Sequence, residues 1–149
     1  MGMTRNKAAL THEQIIEKWN GMTSRERDAW VAEVVFEYPH VRLFHFRYVY
    51  DNVGYVDGKP FDVMGTIDVP DYTTDLNEAE GVLAQIPGEV YIYRKPSLGF
   101  VVSFGYSTEE CPECGELAFE VQAQGIAPTL PGAICLAALI AKKLVKNAQ

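Results

Sequence analysis

The segment "EVYIYRKPSLGFVVSFGYS", residues 89–107, decides the fold class of this chain. Two runs rich in β-branched and aromatic residues, 89–95 and 99–106, flank Pro96-Ser97, a pair typical of a turn. They predict a hairpin, and "LAFEVQAQG" (117–125) predicts a third strand after a short loop. Short connections between consecutive strands favour antiparallel pairing, so the three strands should form a meander.

Four helices are predicted around this meander, because N-terminal capping signals precede apolar residues at helical spacing. The N-cap candidates are Thr11, Thr23, Thr74 or Asp75, and Thr129. The second helix is expected at about 24–36, and Pro87-Gly88 ends the third. Helices interspersed with antiparallel strands must cover faces of a sheet, which predicts an α+β fold with a mainly antiparallel sheet between helices (α/β/α layers). No repeat or linker divides the chain, so residues 1–149 are expected to form a single domain.

The segment 38–69 lies between the second and third helices and has its own strand signals. Its part "VRLFHFRYVY" (41–50) is rich in β-branched and aromatic residues and predicts one strand. Asp57-Gly58 predicts a type I′ hairpin turn, because both central residues of that turn need positive φ. Pro60 restricts the arm that follows to an edge strand.

Four segments together, in this order, resemble the phage ABA-sandwich domain family. They are "MTSRERDAWVAEVVF", "PDYTTDLNEAEGVL", "GFVVSFGY" and "GIAPTLPGAICLAALIAKK". The family consists of small bacteriophage and prophage proteins in which a sheet is held between helices. The resemblance implies this fold and a viral or prophage origin, and it implies no activity. Residues 38–69 are then an insert beside the family's usual short link, and the cysteine pair described below is not a family feature.

The charge balance argues against nucleic acid as a partner. The chain has 20 acidic and 13 basic residues and a net charge of −7, whereas phosphate backbones favour clustered Lys and Arg. No run of about 18 apolar residues would cross a membrane, and the N-terminus "MGMTRNKAALTHEQ" lacks a secretory h-region. The expected location is therefore the cytoplasm of an infected bacterial host.

The stretch "ECPECGEL" (110–117) raises the question of a metal or redox site. Cys111 and Cys114 supply one ligand pair, but a structural zinc site needs four ligands and the three histidines are scattered. The four glutamates in and beside this loop disfavour the thiolate that redox chemistry needs. Cys135 is expected to be a core residue of the last helix. We therefore expect a strand connection here, no cofactor and, since no catalytic motif occurs elsewhere, no enzymatic activity.

Aromatic residues interleaved with arginines favour ligand binding. The chain has 8 Tyr and 7 Phe, many of them near 42–50 and 91–100, and aromatic faces beside guanidinium groups suit bases and phosphates. The candidate contacts are Arg42, Arg47, Tyr72, Arg94, Phe100 and, at the start of the last helix, Thr129.

These residues predict a small anionic, nucleotide-like ligand. The sharpest hypothesis is a homo-oligomeric phage accessory protein that sequesters a nucleotide-derived signal of host anti-phage defence, by analogy with other small phage proteins. The alternatives are an acidic phage interaction or assembly factor with exposed apolar surface on the insert, and a small zinc-binding protein.

Overall fold

The computed structural model describes residues 9–110 and 117–143, which form helices and two antiparallel sheets. In chain order the elements are α1 (His12–Asn20), α2 (Ser24–Val34), β1 (Arg42–Phe44), β2 (Arg47–Val56), β3 (Lys59–Asp68), α3 (Leu76–Leu83), β4 (Glu89–Lys95), β5 (Gly99–Glu110), β6 (Leu117–Ala127) and α4 (Leu130–Lys143). The strand order is β1-β2-β3 in one sheet and β4-β5-β6 in the other. The α+β class is confirmed, with the strands divided between two sheets instead of one.

The helix starts are set by the caps that the sequence predicts. Thr11 and Thr23 each open a capping box, in which the threonine oxygen accepts from the third backbone N–H of the helix. Asp75 caps α3 by accepting from the Asn77 N–H at 2.9 Å. Thr129 Oγ1 accepts from the Gly132 N–H at 3.2 Å at the start of α4. These contacts satisfy N–H groups that a helix end leaves without an internal partner.

Helix α4 is the centre of the core. It lies against β5 and β6, and the other three helices pack on it. Its buried residues run from Gly132 to Ile140, and they meet Val102, Phe104 and Ala123 on one face of the sheet. The approach is close because β6 presents Gly125 to the helix backbone.

The opposite face of β4-β5-β6 is exposed along its two edge strands, whereas Val101 and Ser103 of the central strand are buried there. Tyr91 and Tyr93 alternate with the core-side residues of β4 and are 49% and 46% exposed. Val121 and Ile126 of β6 are 48% and 41% exposed. One side of this sheet therefore packs on α4, while on the other side β4 and β6 carry apolar and aromatic side chains that face solvent.

The prediction of one strand across 41–50 was wrong. A tight turn at His45-Phe46 divides it into β1 and β2, and both turn residues have positive φ, 53° and 67°. A hairpin turn of this kind ordinarily uses Asn or Gly, which is why the sequence did not indicate it. The turn at Asp57-Gly58 is confirmed, with φ values of 54° and 79°. Strand β3 lies at the edge of its sheet, as Pro60 predicts.

Stacked rings join the 38–69 segment to the core. The Tyr38 and Tyr50 ring centroids are 3.9 Å apart, and Phe36 lies between the rings of Tyr38 and Tyr72 at 5.3 and 5.0 Å. Tyr72 is buried, and desolvation is the main reason why its phenol pKa is raised. This stack fixes the start of β2 against the C-terminal end of α2.

Candidate functional site

A cleft of about 540 Å³ lies where α4 begins. The end of α1, the first turn of α2, residues 73–74 and the segment from Ile126 to Gly132 line it. Pockets that hold small molecules are commonly about 300–1,000 Å³, so the cleft has room for a ligand of that class.

Arg27 supplies the positive charge of the cleft. Its Nε donates to the Trp19 carbonyl oxygen at 2.9 Å, and its guanidinium carbon lies 4.5 Å from the Trp19 ring centroid. Desolvation lowers the pKa of Arg27 from its ordinary value, but an arginine so perturbed still carries its charge near neutral pH. Neither terminal nitrogen of the guanidinium has a hydrogen bond or ion pair within residues 9–110 and 117–143. The side chain is thus held in place while two donor groups stay available.

The start of α4 adds donors on another wall of the cleft. Thr129 Oγ1 accepts from a backbone N–H, so its hydroxyl proton can still be donated. Ser24 and Thr74 bring two more hydroxyls, and the N-terminal end of a 14-residue helix carries partial positive charge. Ala127, Pro128 and Pro131 supply apolar surface beside them.

The cleft contains no carboxylate among its described lining residues, although the chain is strongly acidic. A smaller groove of about 280 Å³ shows the contrast, because Arg25 and Arg47 share it with Asp68 and Asp71. A third depression on α1 is lined by Glu13 and Glu17. Of these three concave surfaces, the cleft at the start of α4 is therefore the one suited to an anion.

Residues 73–74 are held by a buried carboxylate of α2. Asp28 is fully buried, and its Oδ1 accepts from the Thr73 N–H at 2.8 Å and from the Thr73 hydroxyl at 2.7 Å. Its Oδ2 pairs with Arg25 at 2.7 Å. Arg25 also donates to the Val69 carbonyl at 2.8 Å and to Asp71 at 2.6 Å. The "PDYTTD" stretch is thus explained by an internal network that builds one wall of the cleft.

Of the six candidate contacts, only Thr129 lies in the cleft. Arg47 lines the smaller groove and faces Asp68 at 3.3 Å. Tyr72 is 2% exposed and belongs to the ring stack, so the cleft does not use it. Arg94 and Phe100 are cross-strand partners on β4 and β5, and neither lines the cleft, although Phe100 pairs with Ala127 of its wall. The structure therefore does not bring the six residues together.

Arg42 is occupied by an ion pair. Its guanidinium donates to Asp51 at 2.7 Å and to the His40 carbonyl at 2.9 Å, which ties β1 and β2 to the preceding loop. The hydrogen bond from Arg42 is the main reason why the pKa of Asp51 is lowered. This arrangement makes Arg42 a structural contact of the 38–69 segment.

The lowered pKa predicts an acid-dependent contribution to stability. A carboxyl whose pKa is lower in the folded state than in the unfolded state stabilises the folded protein, and this contribution is fully present above the unfolded pKa, about 3.9. The contribution is lost as pH falls through the folded-state pKa. We expect Asp51→Asn to remove this part of the acid sensitivity. Urea denaturation of both proteins between pH 7 and pH 3 measures it, and identical pH profiles would contradict the assignment.

The described part of the chain contains no candidate metal site and no reactive thiol. No group of three or more His, Cys, Asp or Glu residues there could hold a metal ion. Cys111 and Cys114 lie outside the described residues. Cys135 is a core residue as expected: it is buried, its Sγ lies 3.4 Å from the Tyr72 carbonyl oxygen, and burial raises the pKa of its thiol.

The fold is similar to that of a phage protein from Bacillus cereus whose crystal structure is known. The two chains superpose with a TM-score of 0.51 at 21% sequence identity, over 82% of this chain and 94% of the other. No protein-family model matches the sequence, and no curated protein does. None of the described helices is long and apolar enough to cross a membrane. The comparison shows a shared fold, and the ABA-sandwich resemblance stays a prediction.

Arg27 is the functional candidate that the sequence did not reveal. Besides Trp19, Asn20 and Ser24, the lining of the cleft comes from positions about 50 and 100 residues further along the chain, so the role of Arg27 depends on tertiary structure. The one sequence signal for the cleft was Thr129 at a helix start, which the structure places on its wall.

Proposed function

We propose that this chain is a phage accessory protein that binds a small anionic, nucleotide-like ligand without chemical change. In its most specific form the protein sequesters a nucleotide-derived signal of host anti-phage defence, within the cytoplasm of the infected host. The cleft at the start of α4 is the proposed binding site. The phage origin is supported by the shared fold with the Bacillus cereus phage protein, and the sequestering role rests on analogy.

The two terminal nitrogens of Arg27, which have no partner among the described residues, carry this proposal. A phosphate between Arg27 and the first turn of α4 would accept charge-assisted hydrogen bonds from the guanidinium and neutral ones from the Thr129 and Thr74 hydroxyls. The helix end adds favourable potential for the same charge. The apolar residues 126–128 and Pro131 leave a surface for the base or sugar of such a ligand.

Thermal stability with a ligand panel tests the proposal. The panel is inorganic phosphate, cyclic mononucleotides, cyclic dinucleotides and ADP-ribose. A ligand at about 100 times its Kd stabilises by about 2.7 kcal/mol, which should raise Tm by roughly 5–10 °C for a chain of this size. Recovery of the bound compound after denaturation would identify it. No shift with any member of the panel would contradict the proposal.

Arg27→Gln should weaken binding of the responding ligand by about 10- to 100-fold, because a charge-assisted contact is lost. Arg94→Gln is the matched control, since it removes an exposed arginine that does not line the cleft. Arg27→Gln also removes a stacking contact on Trp19, so Tm without ligand is measured for each variant. If Arg27→Gln does not fold, Thr74→Val removes an exposed hydroxyl from the cleft and should weaken binding several-fold.

Equal affinities in the cleft variants and the control would exclude this site.

A second function is favoured by the exposed apolar surface of the 38–69 segment. Phe46 is 98% exposed at the tip of the β1–β2 turn. Tyr55 and Met64 are each 63% exposed on the β2–β3 hairpin. Exposed aromatic and aliphatic side chains in one segment are typical of a contact surface for another protein. This supports the alternative of an interaction or assembly factor for a host or virion protein.

Capture from host lysate separates the two functions. An interaction factor should retain a host or virion protein, and Phe46→Ser should abolish that retention while leaving the ligand-dependent Tm shift unchanged. If Arg27→Gln loses the ligand-dependent Tm shift but still retains the host or virion protein, the two activities belong to separate surfaces.

A further inference from the structure

Strand β4 is an edge strand that no described strand or helix covers. It pairs with β5 alone among the described strands, so the backbone N–H and C=O groups on its other side have no ladder partner there. All seven of its residues are exposed. Val90 and Ile92 are 38% and 42% exposed on the side of α4, because that helix lies over β5 and β6. Tyr91 and Tyr93 are about half exposed on the other side.

Other edge strands of this chain carry protective features that β4 lacks. Strand β3 has Pro60 and an irregular register with β2. Strand β6 has two register shifts against β5, and β1 is three residues long. Strand β4 instead pairs with β5 over seven consecutive residues without a shift. A regular, apolar edge is a template for another strand, and proteins that stay monomeric usually interrupt such an edge.

The sequence of β4 is complementary to itself in the antiparallel direction. With Ile92 on a two-fold axis, the pairs are Ile92 with Ile92, Tyr91 with Tyr93, Val90 with Arg94, and Glu89 with Lys95. Each strand end therefore places a carboxylate opposite an ammonium group, twice in the dimer. The tyrosines pair on one face, where aromatic cross-strand pairs are favourable. On the other face the aliphatic stem of Arg94 can cover Val90.

We propose that β4 pairs with β4 of a second copy of this chain, so that two three-stranded sheets become one continuous six-stranded sheet. The charge complementarity of Glu89 and Lys95 selects a second copy over an unrelated strand. A two-fold antiparallel pair is closed, so the assembly stops at the dimer. The inference does not depend on the cleft at the start of α4, whose lining residues belong to other elements.

Charge reversal across the two-fold axis tests the register. Glu89→Lys and Lys95→Glu each convert two attractive pairs into two repulsive ones. Each should raise the dimer Kd about tenfold, since cross-strand pairs contribute up to about 1 kcal/mol each. The double variant restores opposite charges and should return Kd to within about threefold of the native value. Because Glu89 also accepts from the Ser107 hydroxyl at 2.6 Å, the double variant separates that lost contact from the pairing effect. Sedimentation velocity of the full chain measures Kd.

Disulfide trapping tests the geometry directly. In the proposed register two Ile92→Cys residues face each other about 4.5–5.5 Å apart between Cα atoms, within the range of a disulfide. Two Val90→Cys residues would lie about 13 Å apart and beyond that range. In a background with Cys111 and Cys114 replaced by serine, mild oxidation should give a covalent dimer for Ile92→Cys and not for Val90→Cys.

Three results would overturn the inference. The native chain could sediment as a monomer at about 100 µM, a concentration at which a specific dimer should form. The two cysteine variants could cross-link equally or not at all. The double charge variant could remain as weak as the single ones. The ligand-dependent Tm shift is measured separately on the native chain, so failure of the dimer and failure of the binding proposal are distinguishable.

Discussion

Replacing Asp28 by alanine should lower the free energy of unfolding by about 3–4 kcal/mol. The substitution leaves the Thr73 N–H and hydroxyl without the acceptor that now lies at 2.8 and 2.7 Å. It also removes the buried partner of Arg25, whose other carboxylate partner is Asp71. Urea denaturation measures the loss, which corresponds to a fall in Tm of about 10 °C.

Asp71→Ala is the matched control for Asp28→Ala. Both carboxylates pair with Arg25, at 2.6 Å for Asp71 and 2.7 Å for Asp28, but the Asp71 side chain is 63% exposed and that of Asp28 is 1% exposed. An exposed ion pair contributes less than about 1 kcal/mol, so Asp71→Ala should have a small effect. Similar losses in the two variants would show that burial does not decide the contribution.

The pH dependence of stability offers a further check on Asp28. Desolvation raises the pKa of this carboxyl, and the hydrogen bonds from Thr73 and the charge of Arg25 only partly oppose it. A raised pKa in the folded state means that the unfolding free energy falls as pH rises from the unfolded value, about 3.9, through the folded value. Asp28→Ala should abolish that decrease.

Gly125→Ala should lower the free energy of unfolding by about 3 kcal/mol, because overpacking at a rigid contact forces the backbone to shift. A Cβ at this position would lie 2.5 Å from the Ala137 nitrogen and 2.7 Å from the Ala133 oxygen. Both atoms belong to the backbone of α4, so neither can move without displacing the helix from the sheet. Thermal and urea denaturation measure the effect.

Gly81→Ala, the same substitution at a position in α3, should instead raise the free energy of unfolding. A Cβ on Gly81 would meet nothing within 4 Å, and the residue lies inside α3. Alanine is a better helix former than glycine, so stability should rise by about 0.5–1 kcal/mol. If Gly125→Ala were as harmless as Gly81→Ala, the close packing of α4 on β6 would be refuted.

The sequence correctly predicted the helix caps, turns and strands that depend on residues close together in the chain. The capping boxes at Thr11 and Thr23, the turn at Asp57-Gly58 and strand β4 could be read from residues within a few positions of one another. The turn at His45-Phe46 could not, because His adopts positive φ far less readily than Gly and Phe does so rarely. Surrounding pairs such as Arg42 with Asp51 help to fix that turn, and their partners lie outside it in the sequence.

The candidate site depends on contacts that no short motif contains. Asp28 and Thr73 are 45 positions apart, so a carboxylate on a helix gave no indication of the cleft wall that it holds. The arginines of the strands were conspicuous beside aromatic residues, yet Arg42 and Arg47 face carboxylates in the folded chain. Arg27 had no such sequence context, yet its terminal nitrogens have no described partner and it lines the cleft. Arg94 has no described partner either, but it lies outside the cleft lining. Ion pairs formed in the folded chain therefore remove Arg42 and Arg47 as ligand contacts, and position in the cleft distinguishes Arg27 from Arg94.

An NMR titration of the ¹⁵N-labelled native chain tests the binding site most directly. The ligands are inorganic phosphate and the member of the nucleotide panel that raises Tm most. We expect the largest shifts at the Arg27 Nε–H and at the Thr129 and Gly132 amides, with β4 and the tip of the β1–β2 turn unchanged. Shifts confined to the strand arginines, or none with any ligand, would contradict binding at the start of α4.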